Sequence, residues 1–494
     1  MFWSYVKRVV KSDSCKLMPI LALGFYLTFI PHLDYPYPVH VDEWVQLAYS
    51  ETILQANDME FVEPFYGEVV EGLTGAEYGL GYYLSIGSHL FWAIVHQITG
   101  ISWLIIYRYF PSLFFLLIVL AGYMVGRRQG FGLEAAFFTC LIPTTVGVLG
   151  PGFLVPVILA LLFIPLSLFI AFNFRSIWSY LVIFIFTCFL LLAHAATAAG
   201  LAIAIVPYIL VTLRNDWKHS LALAAALILP FVAPLPWIFR LSAMTAQSLF
   251  QPQPLLEYVA LPSIIEVYGY LPALFCILGV VILIVKGENQ KRGLALALLA
   301  MLAMMVVFYQ FHYGVPVMFY RGFMYTLVLM AIVAGAGLMW FSNLTLPSRF
   351  YEWRLLAWSK NYLKVTLLLV CLVLVLATTI PDRLDETYYH MITERDYEAF
   401  VWVRENIGKD HEKAILDPWK ATAFTAITGK KVYGRIQRYP GERAKRASAF
   451  LEEGCKDTEF LRENGITIVY SLFDCDNPDL VEVRPRVYIL KDKD

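Results

Sequence analysis

Long apolar runs separated by short polar breaks fill the first three quarters of the chain, and the pattern changes near Pro381. A helix needs roughly 20 apolar residues to cross a bilayer. Runs of that kind lie at about 17–33, 103–126, 133–150, 152–173, 177–194, 196–213, 219–240, 264–285, 293–311, 318–341 and 363–380, which predicts eleven spans. A further run at 80–99 is interrupted by His89, His96 and Gln97 and by several serines and glycines, so it is expected to lie along the membrane surface as a juxtamembrane helix. A full crossing by this segment is the alternative.

After Pro381 the pattern becomes that of a small soluble domain. It predicts helices at 394–406, just after Pro418, at 442–453 and at 458–464, and strands at 414–416, 431–433, 466–470 and 487–490. The expected fold class is therefore a polytopic α-helical membrane protein with a small C-terminal α/β domain. The expected division is a transmembrane domain at 1–380, containing an outer first loop at 34–102, and a C-terminal extracytoplasmic domain at 381–494.

Composition agrees with a membrane protein. Hydrophobic residues make up 59% of the 494 residues and charged residues only 16%, with a mean hydropathy of +0.62, which exceeds what a soluble core requires. The formal net charge of -1 gives nucleic acid no electrostatic footprint. The charges are unevenly distributed. Arg127 and Arg128, Arg175, Arg214 and Lys218, Lys286 with Lys291 and Arg292, and Arg349 with Arg354, Lys360 and Lys364 recur at every second break. Positive residues collect on the cytoplasmic side, so these breaks share one face with an N-terminus rich in Lys7, Arg8, Lys11 and Lys16. No Ala-x-Ala cleavage site follows the first apolar run, which is expected to be a retained span. The alternate breaks and the tail then fall on the outer face of a multi-pass membrane protein. The sequon Asn343-Leu-Thr345 falls on the cytoplasmic side and is discounted.

Cys140, Cys188, Cys276 and Cys371 lie in apolar runs and behave as small hydrophobes, whereas Cys455 and Cys475 lie in the tail and would pair in an oxidising compartment. There is no Cys/His spacing of a metal site.

The candidate chemistry begins where the first span breaks, at Pro38-Val-His-Val-Asp-Glu-Trp44. Between Asp34 and Tyr107 there are ten acidic residues and no lysine or arginine. Asp42 and Glu43 stand at the start of an amphipathic run, where carboxylates serve either as helix caps or, facing a cavity, as a general base or a cation ligand. His40 is a candidate to tune them. Arg321 sits at the outer start of an apolar run, where it either snorkels to the interface or binds an anion such as a lipid phosphate. His312, Tyr313 and Tyr320 are candidates to add hydrogen bonds there. His194 interrupts an apolar stretch and is read first as structural, then as a supporting residue. Arg240, the 247–257 loop and Glu266 are candidates for an outer gate by position alone. The polar run 417–429 and the basic run 435–446 read first as solvated faces.

The layout of a first span ending in an outer Asp-Glu loop, a juxtamembrane helix, further spans with a Gly126-Arg-Arg128 turn, and an outer α/β tail resembles the GT-C superfamily of membrane glycosyltransferases. Within it the chain is most similar to the dolichyl-phosphate-mannose protein mannosyltransferase and aminoarabinose transferase type, with a tail like archaeal versions. The resemblance implies a polyprenyl-phosphate-linked sugar donor, a glycan, lipid or protein acceptor on the outer face, inverting transfer, and a first-loop acid matching Asp42 or Glu43 as general base. Relatives often hold a divalent cation with a second acid in the next outer loop. The corresponding stretch 147–156 has no acid, which leaves metal use open. The Trp-Trp-Asp signature of oligosaccharyltransferases is missing, against en bloc transfer to asparagine. A lipid or solute transporter or flippase is the rival reading. It ranks lower because mid-span positions are nearly free of charged residues. A catalytically dead scaffold that binds a partner through loop and tail is the third.

Overall fold

The computed structural model describes residues 13–56, 64–65, 85–145, 150–233, 260–343, 363–436 and 441–491. In chain order the helices begin with α1 Asp13–Phe29, α2 Val41–Ala56, α3 Ile86–Thr99, α4 Trp103–Gln129, α5 Gly132–Cys140, α6 Pro156–Leu161 and α7 Phe163–Asn173. They continue with α8 Ile177–Ala193, α9 Ala195–Leu213, α10 Trp217–Val232, α11 Ser263–Tyr268, α12 Tyr270–Lys286, α13 Asn289–Phe311, α14 Pro316–Ser342 and α15 Leu363–Leu384. The tail follows as α16 Glu394–Asn406, β1 Lys413–Ile415, α17 Ala421–Thr428, β2 Lys431–Val432, α18 Glu442–Glu452 and α19 Thr458–Glu463. It ends with β3 Ile468–Tyr470, β4 Leu480–Arg484 and β5 Val487–Leu490.

The chain forms two compact units: Met1–Ile30 with Tyr109–Thr387, and Pro31–Arg108 with Tyr388–Asp494. The sequence-based division kept the first loop with the membrane part. In the structure that loop belongs with the tail.

Among the described residues, seven helices are long and apolar enough to cross a membrane, and α8, α10 and α12 are shorter apolar helices. The seven coincide with seven of the eleven predicted spans, and the three shorter helices overlap three more. In the remaining one, 133–150, α5 ends at Cys140 and its nine residues are about 14 Å long, too short to cross, while 146–149 lie outside the described residues. Pro143 disfavours helical geometry at the residue before it, and the helix has ended by Cys140. Beyond the helix, Gly152 donates its N–H to Thr144 Oγ1 at 2.9 Å. Irregular backbone of this kind is tolerated at membrane depth when protein covers it, and Leu141, Ile142, Phe153 and Leu154 are all buried.

One end of the helical unit gathers the predicted cytoplasmic breaks. Arg127 at the end of α4 lies 3.7 Å from Asp13 at the start of α1, and Arg175 before α8 pairs with Asp216 before α10 at 3.0 Å. Gln129 donates to Gln290 at 2.7 Å, and Gln290 in turn donates to the Phe172 carbonyl. The alternation of basic breaks read from sequence is therefore a common end of the bundle.

The bundle is organised around α14, whose most apolar window is 94% buried. It packs closely on α12 through glycines. A Cβ on Gly337 would meet the Phe275 carbonyl oxygen at 2.0 Å, and one on Gly279 would meet the Val333 oxygen at 2.1 Å. Small residues let helix backbones approach where no hydrophobic effect drives association in lipid.

The second unit contains α2, α3 and the tail. With 14 residues, α3 is about 21 Å long, and residues 80–84 at the start of the predicted 80–99 run lie outside the described residues. The sheet has the order β2-β1-β3-β5-β4. β1 is parallel to β2 and β3, and β5 is antiparallel to β3 and β4. Each predicted strand has a counterpart, and β4 is an addition. Thr393 starts α16 with a capping box to Asp396. Cys455 and Cys475 form a disulfide.

The close contact of α12 and α14 generates a prediction. Gly337→Val should lower the melting temperature of the detergent-solubilised protein by several degrees or abolish its accumulation. Leu274→Val, at a side chain 58% exposed on the same helix pair, should leave melting unchanged. Equal melting of both variants with the wild type would contradict the packing described.

Candidate active site

The first-loop carboxylates take two distinct positions at the start of α2. The Glu43 and Trp44 N–H groups donate to the His40 carbonyl, at 3.0 and 3.4 Å, making His40 the N-cap. Glu43 is then the third helical residue, and its Oε2 accepts from the backbone N–H groups of Val39 at 2.8 Å and His40 at 3.0 Å. This is the reach-back half of a capping box. The other half comes from an imidazole, since His40 Nδ1 accepts from the Asp42 N–H at 3.1 Å. An accepting Nδ1 carries no proton. Its approach to Asp42 Oδ2 at 4.0 Å is therefore proximity, not a donated hydrogen bond.

Glu43 is fully buried, whereas the Asp42 side chain is 43% exposed. Negative charge in a first helical turn is favoured by the helix dipole. The surroundings of Glu43 are largely apolar: Val39, Val41, Trp44 and Tyr107 are buried. The Tyr107 hydroxyl and the Trp44 indole N–H have no hydrogen-bond partner among the described residues. Of the ten acids in this loop, Asp58, Glu60, Glu63, Glu68, Glu71 and Glu77 lie outside the described residues.

The loop is fixed to the tail within its own unit. Tyr35 OH donates to the Ile392 carbonyl at 2.9 Å and accepts from the Ile392 N–H at 3.1 Å, and its ring stacks on His390 with centroids 4.2 Å apart. Burial raises the Tyr35 phenol above its ordinary value, so it remains a donor. Further along, α2 packs on α17 and α3, and the Arg435 guanidinium lies 4.0 Å over the Phe65 ring. Trp103 donates its indole N–H to Glu51.

Four residues after Ile392 stands a buried ionic cluster that sequence reading did not single out. Asp396 Oδ2 accepts from Lys420 Nζ at 2.7 Å and from Thr393 N and Oγ1 at 2.7 and 2.8 Å, while Oδ1 accepts from Tyr470 OH. Burial would raise the Asp396 carboxyl, but the hydrogen bonds from Lys420, Tyr470 and Thr393 outweigh it and hold the group below its ordinary value. The Thr393-x-x-Asp396 capping spacing was a legible part of this cluster. Its partners, 24 and 74 residues away, were not.

The remaining candidates lie in the helical unit. Arg321 is in the second turn of α14, half-buried, with its charge in electrostatic reach of His194 and Tyr325. His194 joins α8 to α9 and is hydrogen-bonded through Nδ1 to Thr197 Oγ1 at 2.7 Å. Thr197 Oγ1 in turn meets Tyr325 OH at 2.9 Å. His312 ends α13 in left-handed geometry at φ 60°, donating its N–H to the Phe308 carbonyl. Tyr313 is 43% exposed, and Tyr320 packs edge-on to Phe319 and Phe308. His40, Asp42 and Glu43 thus come together in one unit, and His194 comes to Arg321 in the other. Glu266 lies in α11, whereas Arg240 and the 247–257 loop lie outside the described residues, as do 146–149 of the second outer turn. Among the described residues no group of three or more His, Cys, Asp or Glu side chains is placed to hold a metal ion, and no step is assigned to a divalent cation.

Neither a protein-family model nor a curated protein sequence matches the chain. Solved structures do. ArnT from Cupriavidus metallidurans, bound to undecaprenyl phosphate, matches with a TM-score of 0.60 at 12% identity, over 97% of this chain and 98% of that one. The apo oligosaccharyltransferase of Archaeoglobus fulgidus matches with a TM-score of 0.58 at 12% identity, over 92% of this chain and 69% of that one. The archaeal oligosaccharyltransferase AglB of the same organism, in complex with an inhibitory peptide and a dolichol-phosphate, gives 0.57 at 12% identity, with the same two shares. The chain has the fold of the GT-C membrane glycosyltransferases.

The buried cluster yields a prediction. Lys420→Met leaves Asp396 buried without its cation and should cost about 3–5 kcal/mol of stability in the tail-containing unit. Because the native Asp396 carboxyl is held below its ordinary 3.8, its contribution is present above that pH and is lost as pH falls through the lowered value. Acid unfolding followed by far-UV circular dichroism should therefore begin at higher pH in Lys420→Met. An unchanged acid transition would contradict the assignment.

Proposed function

We propose that the protein transfers a sugar from a polyprenyl-phosphate donor to an acceptor hydroxyl on the extracytoplasmic face, with inversion and with Asp42 as general base. The observation that carries this reading is the division of labour at the start of α2. Glu43 spends its carboxylate on the Val39 and His40 N–H groups, while Asp42 stays accessible on the next position. A base must reach the proton it removes, and a fully buried carboxylate committed to backbone donors is poorly placed to do so.

In the reaction, Asp42 takes the acceptor proton as the acceptor oxygen forms a bond to the anomeric carbon. The bond from that carbon to the phosphate oxygen breaks on the opposite side, which inverts the configuration. The departing polyprenyl phosphate carries the negative charge, and Arg321 is the cation assigned to it, with His312, Tyr313 and Tyr320 as further hydrogen-bonding candidates and His194 as a positioning partner. The fold supports the reading, because solved structures of this fold bind undecaprenyl phosphate and dolichol-phosphate. The tail disulfide fits an oxidising, extracytoplasmic compartment.

Binding and chemistry separate the two assignments. Asp42→Asn should lower kcat by about 10²–10⁴ in a polyprenyl-phosphate-sugar transfer assay while retaining undecaprenyl phosphate binding. Glu43→Gln, which keeps an accepting oxygen for the cap, should retain transfer within about tenfold. Arg321→Ala should weaken undecaprenyl phosphate binding by about ten- to a hundredfold, the worth of a hydrogen bond to a charged group. Full transfer by Asp42→Asn would overturn the base, and unchanged lipid-phosphate binding by Arg321→Ala would overturn the phosphate assignment.

A further inference from the structure

The tail carries a groove that neither the first loop nor the lipid-phosphate residues use. One lobe, about 390 Å³, is lined by Trp419, Ser448 and Glu452 among others. The adjoining lobe, about 230 Å³, shares Ser448 and Glu452 and adds Asp417 and Phe473. Two large aromatic side chains on this groove face solvent, with Trp419 47% and Phe473 60% exposed. Tyr389, 55% exposed, lies beside the indole with ring centroids 6.1 Å apart.

From this arrangement we infer that the groove binds a saccharide, and that the acceptor is a sugar chain. The inference rests on the transfer reaction proposed above and names its acceptor class. A pyranose ring has an apolar C–H face and a rim of hydroxyls. The negative face of an aromatic ring suits the first, and ionised carboxylates, which only accept, suit the second. Both kinds of group line the same groove. The Glu452 carboxylate has no hydrogen bond or ion pair among the described residues, and the Asp417 carboxylate accepts only from the Trp419 N–H there. Ser448 adds a hydroxyl at the junction of the lobes. Lys445, also on the first lobe, is paired with Glu442 at 2.8 Å and does not neutralise it. Two carboxylates disfavour a phosphate or another anion as the occupant. They also disfavour insertion of the exposed aromatics into lipid, since that would take the same carboxylates toward hydrocarbon.

Binding is read without donor, so the outcome is independent of whether the transfer reaction is confirmed. The full-length protein in nanodiscs is applied to an array of oligomannosides, β-glucans and chito-oligosaccharides. The wild type should be retained by at least one class. Trp419→Ala and Glu452→Gln should each lower retention at least tenfold, with melting temperature and undecaprenyl phosphate binding unchanged. No retention of the wild type, or equal retention of the folded variants, would overturn the inference. So would quenching of the Trp419 emission, obtained as the difference from Trp419→Phe, by brominated phospholipid in the nanodisc, because that places the groove on the bilayer.

Discussion

The start of α2 depends on one carboxylate. Glu43 lies with no exposed surface and satisfies two backbone donors, the Val39 and His40 N–H groups, through a single oxygen. A buried charge is tolerated only when it is well hydrogen-bonded. Here the bonds also close the end of a helix whose first N–H groups have no intrahelical partners. The same geometry fixes the next residue back along the chain. Asp42 emerges from the same turn with its N–H capped by His40 Nδ1 and its carboxylate accessible.

Around that turn the second unit is assembled from two chain segments, Pro31–Arg108 and Tyr388–Asp494, that are far apart in sequence. Tyr35 and Ile392 exchange hydrogen bonds in both directions. Just beyond, the Asp396 cluster ties the start of α16 to Lys420 and to Tyr470 on the sheet. Rigid placement of a reacting group requires supporting hydrogen bonds behind it. The loop obtains them from the tail, which makes the tail part of the loop's scaffold as well as the bearer of the aromatic groove.

Hydropathy made most of the membrane helices legible, and alternation of basic breaks anticipated the shared end marked by Arg127, Asp13, Arg175 and Asp216. The failure at 133–150 has a local cause: an apolar run does not reveal whether its backbone stays helical, and here the helix ends at Cys140, just ahead of Pro143. In the tail, helix boundaries were legible because Thr393-x-x-Asp396 and similar caps are local in sequence. The Asp396–Lys420–Tyr470 cluster and the union of loop with tail were not, because those contacts depend on tertiary folding. As adjacent acids Asp42 and Glu43 were hard to separate in sequence, with Asp42 favoured as the base and Glu43 a close second. Asp42 two residues and Glu43 three residues after the His40 N-cap were visible all along, but a histidine in place of serine or threonine hides the capping box.

The most direct measurement of the central claim is the pH dependence of kcat/KM for sugar transfer, which reports the essential acid and base of the free enzyme. If Asp42 is the base, the acidic limb should persist in Glu43→Gln and disappear from the residual activity of Asp42→Asn. An acidic limb abolished by Glu43→Gln and retained by Asp42→Asn would contradict the account and assign the base to Glu43.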